Sequence, residues 1–330
     1  MNNCNADSKA NQGNYLVSVI VPLYNGESHI GQLLKSVSDS SYRNVEVIIV
    51  DDGSSDSGLE IIRTEFPSAK VLRNGQNRGK SFSLNRGLRV SRGSFIIMSD
   101  QDLIFHKDLI SKWVDALVAN PRLGICGCYV YYKNSPNFLF TAGSRFDKRR
   151  GFPRLSLSNV SLTYSEERYE ESSDWIFDNV YVVRRSVIES VGAYDHLDFP
   201  IVYEEADLQL RASMAGFAKS IVPGARAFHD IPLGRLDQLR RLTKYKAEML
   251  CRNRLILVRK FDFATPPMVL ALLLRSLLFY GFVAVIQPTP VREKTAFLGS
   301  VVRGVSRGLL DPVATKNGWD SQSAALPTVL

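Results

Sequence analysis

Apolar and polar positions change period along the first hundred residues. The run YLVSVIVPLYN from Tyr15 is β-branched and continuous, and predicts a buried strand ended by Pro22. Ile30, Leu33, Leu34 and Val37 then recur at helical spacing on one face. VEVIIV (Val45–Val50) predicts a second strand, broken by DDGSSD. Leu59, Ile61 and Ile62 open a helix that Ser54, Ser55 or Asp56 can cap. AKVLRN predicts a short third strand, Gly79–Val90 a helix, and SFIIM a fourth strand. Strands alternating with helices of roughly 10–15 residues predict an α/β fold, a parallel sheet covered on both faces. Ligands of such sheets bind at the carboxyl ends of the strands. Pro22–Asn25, Asp51–Ser54, Asn77–Lys80 and Asp100–Asp102 all fall there.

Beyond the fourth strand the pattern loosens. Lys107–Val118 predicts a helix and GICGCYVYY a strand. Residues 133–173 predict a long irregular stretch, rich in Ser, Arg and aromatics, of the kind that forms a substrate-side loop. DNVYVVRRSVIESVGAYD returns to strand and helix, and YEEADLQLRASMAG predicts a helix whose opening acids complement its dipole. Met268–Ile286 is 19 residues long and almost wholly apolar, with Arg275 at its middle. That length can just cross a bilayer, but a central arginine costs about 2.5–3.5 kcal/mol there. Phe297, Val301, Val305 and Leu309 recur every fourth residue, with Arg303 and Arg307 on another face. That pattern predicts a helix lying in a membrane interface; a hairpin packed on the main domain is the alternative. The breaks divide the chain at 1–14 (a disordered tail), 15–132, 133–234, 235–312 (a basic and amphipathic helical extension) and 313–330 (a flexible tail).

Composition narrows the class. With 45% hydrophobic and 22% charged residues among 330, bulk disorder is excluded. Cys4, Cys126, Cys128 and Cys251 are irregularly placed and form no C-x-x-C pair, which argues against a disulfide framework or structural zinc and suits a reducing compartment. The first fourteen residues lack an apolar core, so no secretory signal is expected. The formal charge is +8, and between Arg235 and Lys260 nine basic side chains face two acidic ones. Such a segment is a solvated face, or it meets an anionic partner such as phosphate or a membrane surface. No nucleic-acid motif accompanies it, so nucleic acid is not an expected partner.

The chemistry concentrates in FIIMSDQDLIF, where a buried strand stops at Asp100 and Asp102. Buried carboxylates are paired, hydrogen-bonded or bound to metal, so this D-x-D reads as a capped turn or a cation site. GQNRGKS has one residue too few between its glycines for a P-loop, and no G-x-G-x-x-G follows the first strand, which removes the main support for a dinucleotide enzyme.

VSVIVPLYNGESHIGQLLKSV, VEVIIVDDGSSD, NGQNRGKSFSLNRGL and IIMSDQD stand in the order and spacing of the family-2 glycosyltransferases, which this chain resembles. VVRRSVIESVGAYD, YEEADLQLRASMAGF and ARAFHD are similar to that family's acceptor-side half, and CRNRLILVRKF to an R-N element of its polysaccharide and rhamnosyl branches. The likeness runs from Val17 to about Lys260. It implies the GT-A fold, a Rossmann-like, mostly parallel sheet flanked by helices. It also implies a nucleotide-sugar half at 15–132, an acceptor half at 133–234 and a membrane-associating extension. The implied activity is an inverting hexosyl- or deoxyhexosyltransferase. It would carry a sugar from a UDP-, dTDP- or GDP-linked donor to a glycan or lipid-linked acceptor in surface polysaccharide or glycolipid synthesis, on the cytoplasmic face of the membrane. A polyprenyl-phosphate glycosyltransferase or a non-catalytic sugar-nucleotide-binding protein are the alternatives.

The resemblance also assigns residues. Pro22, Tyr24, Asn25 and Glu27 would face base and ribose. Asp51 or Asp52 would accept an imide N–H of the base. Asn77, Gly79 and Lys80 would sit beside the nucleotide, Gly79 permitting its close approach. Asp102 would ligate Mg2+ or Mn2+ directly, with Asp100 toward ribose or water and His229 completing the metal site. Glu205 would be the catalytic base. Glu stands there where the family more often has Asp, which leaves Glu204 and Asp207 open for that role.

Overall fold

The computed structural model describes residues 15–147, 152–155, 158–233 and 235–313; the tail expected at 1–14 and all but the first residue of that at 313–330 lie outside the described residues. The first half runs β1 (Val17–Leu23), α1 (Ile30–Ser38), β2 (Val45–Asp51), α2 (Gly58–Glu65), β3 (Lys70–Arg73), α3 (Lys80–Val90) and β4 (Phe95–Ser99). Parallel pairing of β1 with both β2 and β4, and of β2 with β3, gives the expected sheet. Period 2 explains why these strands are apolar throughout. Val17, Val19 and Val21 of β1 pack with Leu33 and Val37 of α1, whereas Ile20 packs with Leu84 and Leu88 of α3 on the other face. β1 runs one residue past Pro22. The register with β4 ends at Ile20, so beyond it the proline has a strand neighbour on one side only.

The second half continues as β5 (Leu103–Phe105), α4 (Leu109–Ala119), β6 (Leu123–Tyr132), β7 (Ser135–Thr141), β8 (Ser144–Asp147), β9 (Phe152–Leu155), β10 (Ser158–Ser161), β11 (Glu170–Glu171), β12 (Trp175–Ile176) and β13 (Val180–Arg184). Then come α5 (Arg185–Val191), α6 (Glu204–Met214) and β14 (Ala218–His229). β13 inserts antiparallel between β4 and β6, and β14 lies parallel to β6 while pairing antiparallel with β5. The main sheet runs β10-β7-β6-β13-β4-β1-β2-β3, with β8, β9 and β12 in a small second sheet. The irregular stretch expected over 133–173 is therefore largely short antiparallel strands. Pairing rather than apolar alternation makes them: β7 is buried only toward its end and β10 is mostly exposed.

Four further helices follow: α7 (Arg235–Arg240), α8 (Lys244–Lys260), α9 (Pro266–Ile286) and α10 (Val291–Leu310). The interfacial helix expected around Phe297 has its apolar face turned inward. Phe297 and Val301 are buried in a cluster with Ala247 and Cys251 of α8 and Tyr280 of α9. A small-residue seam, Ser300, Gly304 and Gly308, permits this: a Cβ on Gly304 would stand 2.3 Å from the Glu248 carbonyl oxygen. The C-terminal part of the basic run also turns inward, while Arg240, Arg241, Lys244 and Lys246 stay exposed. Lys260 Nζ lies 2.7 Å from Asp195 and 2.8 Å from Asp207, Arg252 pairs with Asp311 at 2.8 Å, and Arg259 donates to the Gly308 and Asp311 carbonyls. Local charge cannot reveal this, because the acids that neutralise these bases come from distant segments.

Helix α9 is long and apolar enough to cross a membrane, with a mean hydropathy of 2.3 in its most apolar window. One face, with Leu272, Tyr280 and Val283, is packed; the other exposes Leu270, Leu274, Leu277, Leu278, Phe282 and Val285.

Candidate active site

The loops at the carboxyl ends of β1 and β2 are stitched to each other. Ser55 N donates to Asn25 Oδ1, Asn25 N to Ser54 Oγ, Glu27 N to Asp56 Oδ2, and Ser57 N to Glu27 Oε2. Gln101, between the two aspartates of D-x-D, accepts from Tyr24 N and donates to Tyr24 O, tying the same loop to β4. Asp51 and Asp52 serve this scaffold. Asp51 is wholly buried, accepting from Ser54 N and pairing with Arg73. Asp52 accepts from Asn74, Arg78 N and Gly79 N. Both carboxylates shape the turns of this edge, a role that can coexist with the expected one of accepting from a base. Gly79 differs from expectation. Its φ is +90°, and the close approach it permits is to the Pro200 carbonyl oxygen, 2.7 Å from where a Cβ would stand. Tyr24 and Asn77 remain exposed on this edge.

Lys80, first residue of α3, reaches across the strand ends to three acids. Its Nζ lies 2.8 Å from Asp100 Oδ1, 2.9 Å from Glu205 Oε1 and 3.2 Å from Glu204 Oε1. The group borders a cavity of about 580 Å³, with Asp178 and Asn179 also in its lining and Lys246 and Leu250 of α8 forming part of the wall. Burial alone would lower the Lys80 pKa, but Asp100, Glu205 and Glu204 outweigh it and hold the ammonium well above its usual value. The two glutamates separate. Burial, then the charge of Glu205, pushes Glu204 well above the carboxylate range, so of the two it keeps its proton more readily; neither of its carboxyl oxygens has a hydrogen-bond partner. For Glu205 burial is outweighed by the charge and hydrogen bond of Lys80, so its pKa is lowered. Asp178 is pushed up to about 6 by burial and then by the charges of Glu205 and Asp100.

The turn that delivers these glutamates is strained. Val202 and Tyr203 both have positive φ, 56° and 68°, immediately before α6, and neither is glycine. Helix α8 holds them there: Asn253 Nδ2 donates to the Ile201 and Val202 carbonyls at 2.8 and 3.0 Å, Arg252 to the Asp198 carbonyl, and Arg254 to the Tyr203 hydroxyl. Asp207, the third acid of YEEAD, lies elsewhere. It is fully buried, 2.7 Å from Arg211 and 2.8 Å from Lys260, and does not line the cavity.

D-x-D divides its duties. Asp100 faces Lys80 and accepts from Asn179 Nδ2 at 3.2 Å. Asp102 does not line the cavity; its Oδ2 lies 3.2 Å from His229 Nε2, brought there by the pairing of β14 with β5. Burial would raise the Asp102 pKa, but the hydrogen bond and charge of His229 lower it. His229 Nδ1 is buried without a hydrogen-bond partner. Among the described residues no group of three or more His, Cys, Asp or Glu side chains is placed to hold a metal ion. His29, given no role from sequence, faces Asp230 at 3.6 Å and adds to the field at Asp102. Asp178, Asn179, Gln101 and the Asn253 clamp were likewise not singled out. Only Gln101, inside D-x-D, and Asn253, inside the R-N element, carried a local signal.

The neutral state of Glu204 has a measurable consequence. The native protein keeps a proton that the unfolded chain releases above pH of about 4.3, so Glu204 costs stability increasingly from there toward its folded pKa. Glu204→Gln should match the parent in urea unfolding near pH ~4 and exceed it by a margin that grows toward pH ~8. A constant or shrinking margin would contradict the assignment.

The description "Glycosyl transferase family 2" belongs to the family model that matches residues 18–172. A glycosyltransferase of Haemophilus influenzae, itself uncharacterised, is 31% identical over 119 residues, 35% of this chain and 48% of the relative, so the match spans about half of that protein. An N-acetylglucosaminyl-diphospho-decaprenol L-rhamnosyltransferase of Mycobacterium tuberculosis is 24% identical over 241 residues, covering 65% of this chain and 76% of the relative. Among solved structures, a mannosyltransferase from Pyrobaculum calidifontis in complex with GDP-mannose and Mn2+ superposes with a TM-score of 0.56 at 20% identity, covering 91% of this chain and 89% of that one. That likeness is one of fold. Motif order, family match and sheet architecture agree: residues 18–172 form a domain of glycosyltransferase family 2, and the chain has the GT-A fold.

Proposed function

We propose that the protein is an inverting glycosyltransferase that moves a sugar from a nucleoside diphosphate to a hydroxyl of a glycan or lipid-linked acceptor. The observation that carries this reading is the meeting, in one cavity, of Asp100 at the end of β4 and an ionised Glu205 at the start of α6, both on Lys80. The nucleotide would lie along the edge formed by Tyr24, Asn25 and Asn77, its diphosphate beside Lys80 and Asp100. Glu205 is the base: with Oε1 held by Lys80, its other oxygen takes the proton of the acceptor hydroxyl as that oxygen bonds to C1. The C1–O bond to the diphosphate breaks with its electron pair going to the leaving group, and the configuration at C1 inverts. Glu204, its pKa pushed well up, does not compete with Glu205 for this role. Asp207 is excluded as base by its two buried ion pairs.

Four acids against Lys80 and Lys246 around this cavity disfavour a diphosphate unless a cation accompanies it. Asp102 and His229 would hold Mg2+ or Mn2+ together with the substrate's phosphate, since Asp100 is turned to Lys80. A carboxylate facing an imidazole Nε2 at 3.2 Å offers two donors to an ion that fills the rest of its shell with water and substrate phosphate. Bound there, the ion supplies Lewis-acid stabilisation of the departing charge. The Mn2+ and GDP-mannose in the P. calidifontis structure support this cofactor class, and the lipid-linked acceptor in the M. tuberculosis relative's name supports the acceptor class.

Such an acceptor fits a protein resting on the cytoplasmic face of a membrane. The apolar stripe of α9 would lie in the interface rather than span the bilayer, because its opposite face is already packed on α8 and α10.

Two measurements follow. Glu205→Gln should lower transfer by about 10²–10⁴-fold while thermal stabilisation by donor and Mn2+ persists; undiminished turnover would contradict the base assignment. Leu274→Glu with Leu278→Glu should abolish flotation with anionic vesicles but leave transfer to a soluble acceptor analogue. Flotation equal to the parent protein would remove α9 from the membrane contact.

A further inference from the structure

Asp178 is the cavity acid with no part in the scheme above. It lies between β12 and β13, its side chain exposed to the cavity although protein surrounds it, and its strongest charged neighbours are Glu205 and Asp100. Among the described residues no side chain is placed to hydrogen-bond or ion-pair its carboxyl. Lys80, the nearby cation, is committed to Asp100, Glu204 and Glu205. Its carboxylate is open to the solvent that fills the cavity, so both oxygens are available to donors that a ligand brings. Its neighbour Asn179 repeats the pattern: Nδ2 is fixed on Asp100, while Oδ1 is buried with no partner.

We propose that Asp178 binds hydroxyl groups of the transferred sugar, and so reads which sugar the donor carries. This rests on the glycosyltransferase reading. If C1 reacts between a diphosphate at Lys80–Asp100 and the base Glu205, the sugar ring occupies the cavity that Lys80, Asp100, Glu205 and Asp178 line together. A carboxylate accepts two O–H donors at once and cannot satisfy a deoxygenated carbon, so it discriminates among hydroxyl patterns. It binds neither base nor phosphate, which the reading above puts along Tyr24, Asn25 and Asn77 and beside Lys80.

The test compares Asp178→Asn and Asp178→Ala with the parent protein, all with Mn2+. Calorimetry would measure affinities for UDP, dTDP and GDP and for UDP-glucose, dTDP-rhamnose and GDP-mannose. The ratio of nucleotide to nucleotide-sugar affinity isolates the sugar's contribution. In the variants the preferred nucleotide alone should bind as in the parent, while the sugar's contribution falls about tenfold or more. Asp178→Asn keeps shape and some hydrogen bonding, so it guards against a folding defect in Asp178→Ala. If nucleotide and nucleotide sugar weaken equally, or neither changes, the proposal is overturned while the transferase reading stands. If none of the six binds the parent protein, both fall together.

Discussion

One ammonium group organises the site. Lys80 leaves the first turn of α3 and closes on carboxylates from two distant segments, Asp100 from β4 and Glu204–Glu205 from α6. Without it the cavity would hold four acids in mutual repulsion, and none could stay ionised at low cost. With it the charges sort into a neutral Glu204, an ionised Glu205 and an Asp100 fixed by both Lys80 and Asn179. The same bridge ties the half of the chain read as nucleotide-binding to the half read as acceptor-binding. Lys80 is therefore both an electrostatic and a mechanical element.

The second constraint is the turn before α6. Two consecutive non-glycine residues in the left-handed region cost about 1–3 kcal/mol each. The compensation comes from outside the sheet, from Arg252, Asn253 and Arg254 of α8. Helix α8 is in turn locked on by Lys260 to Asp195 and Asp207. The C-terminal helices thus hold in place the turn that carries Glu204 and Glu205, and α9 presents its apolar stripe on their outer face. A lipid-borne acceptor arriving at that surface would meet Lys246 and Leu250 at the cavity wall before it reached Glu205.

The alternation of apolar runs and the residues at strand ends were legible in sequence because both are local. Val17–Leu23, Val45–Asp51 and Phe95–Ser99 are continuous apolar strands, and the polar clusters that end them do converge on one edge. Residue roles were less legible, because they depend on long-range pairing. The turn-shaping role of Asp51 and Asp52 shows only once Arg73, Asn74 and Arg78 are seen beside them. Asp207 looks like a third active-site acid until Lys260, 53 positions away, is found on it. The short strands after Tyr132 escaped notice because pairing, not alternation, defines them. The internal part of the basic run after Arg235 was not legible because its neutralising partners, Asp195, Asp207 and Asp311, belong to other elements.

The central claim is that Lys80 sets the ionisation of Glu205 and that Glu205 is the group whose deprotonation permits transfer. The pH dependence of kcat/KM in Lys80→Gln tests it most directly. Lys80 lowers the Glu205 pKa, so its removal should move the acid limb of the profile to higher pH while the protein stays folded. An acid limb that stays at the parent's pH, with only the height of the profile changed, would contradict the account.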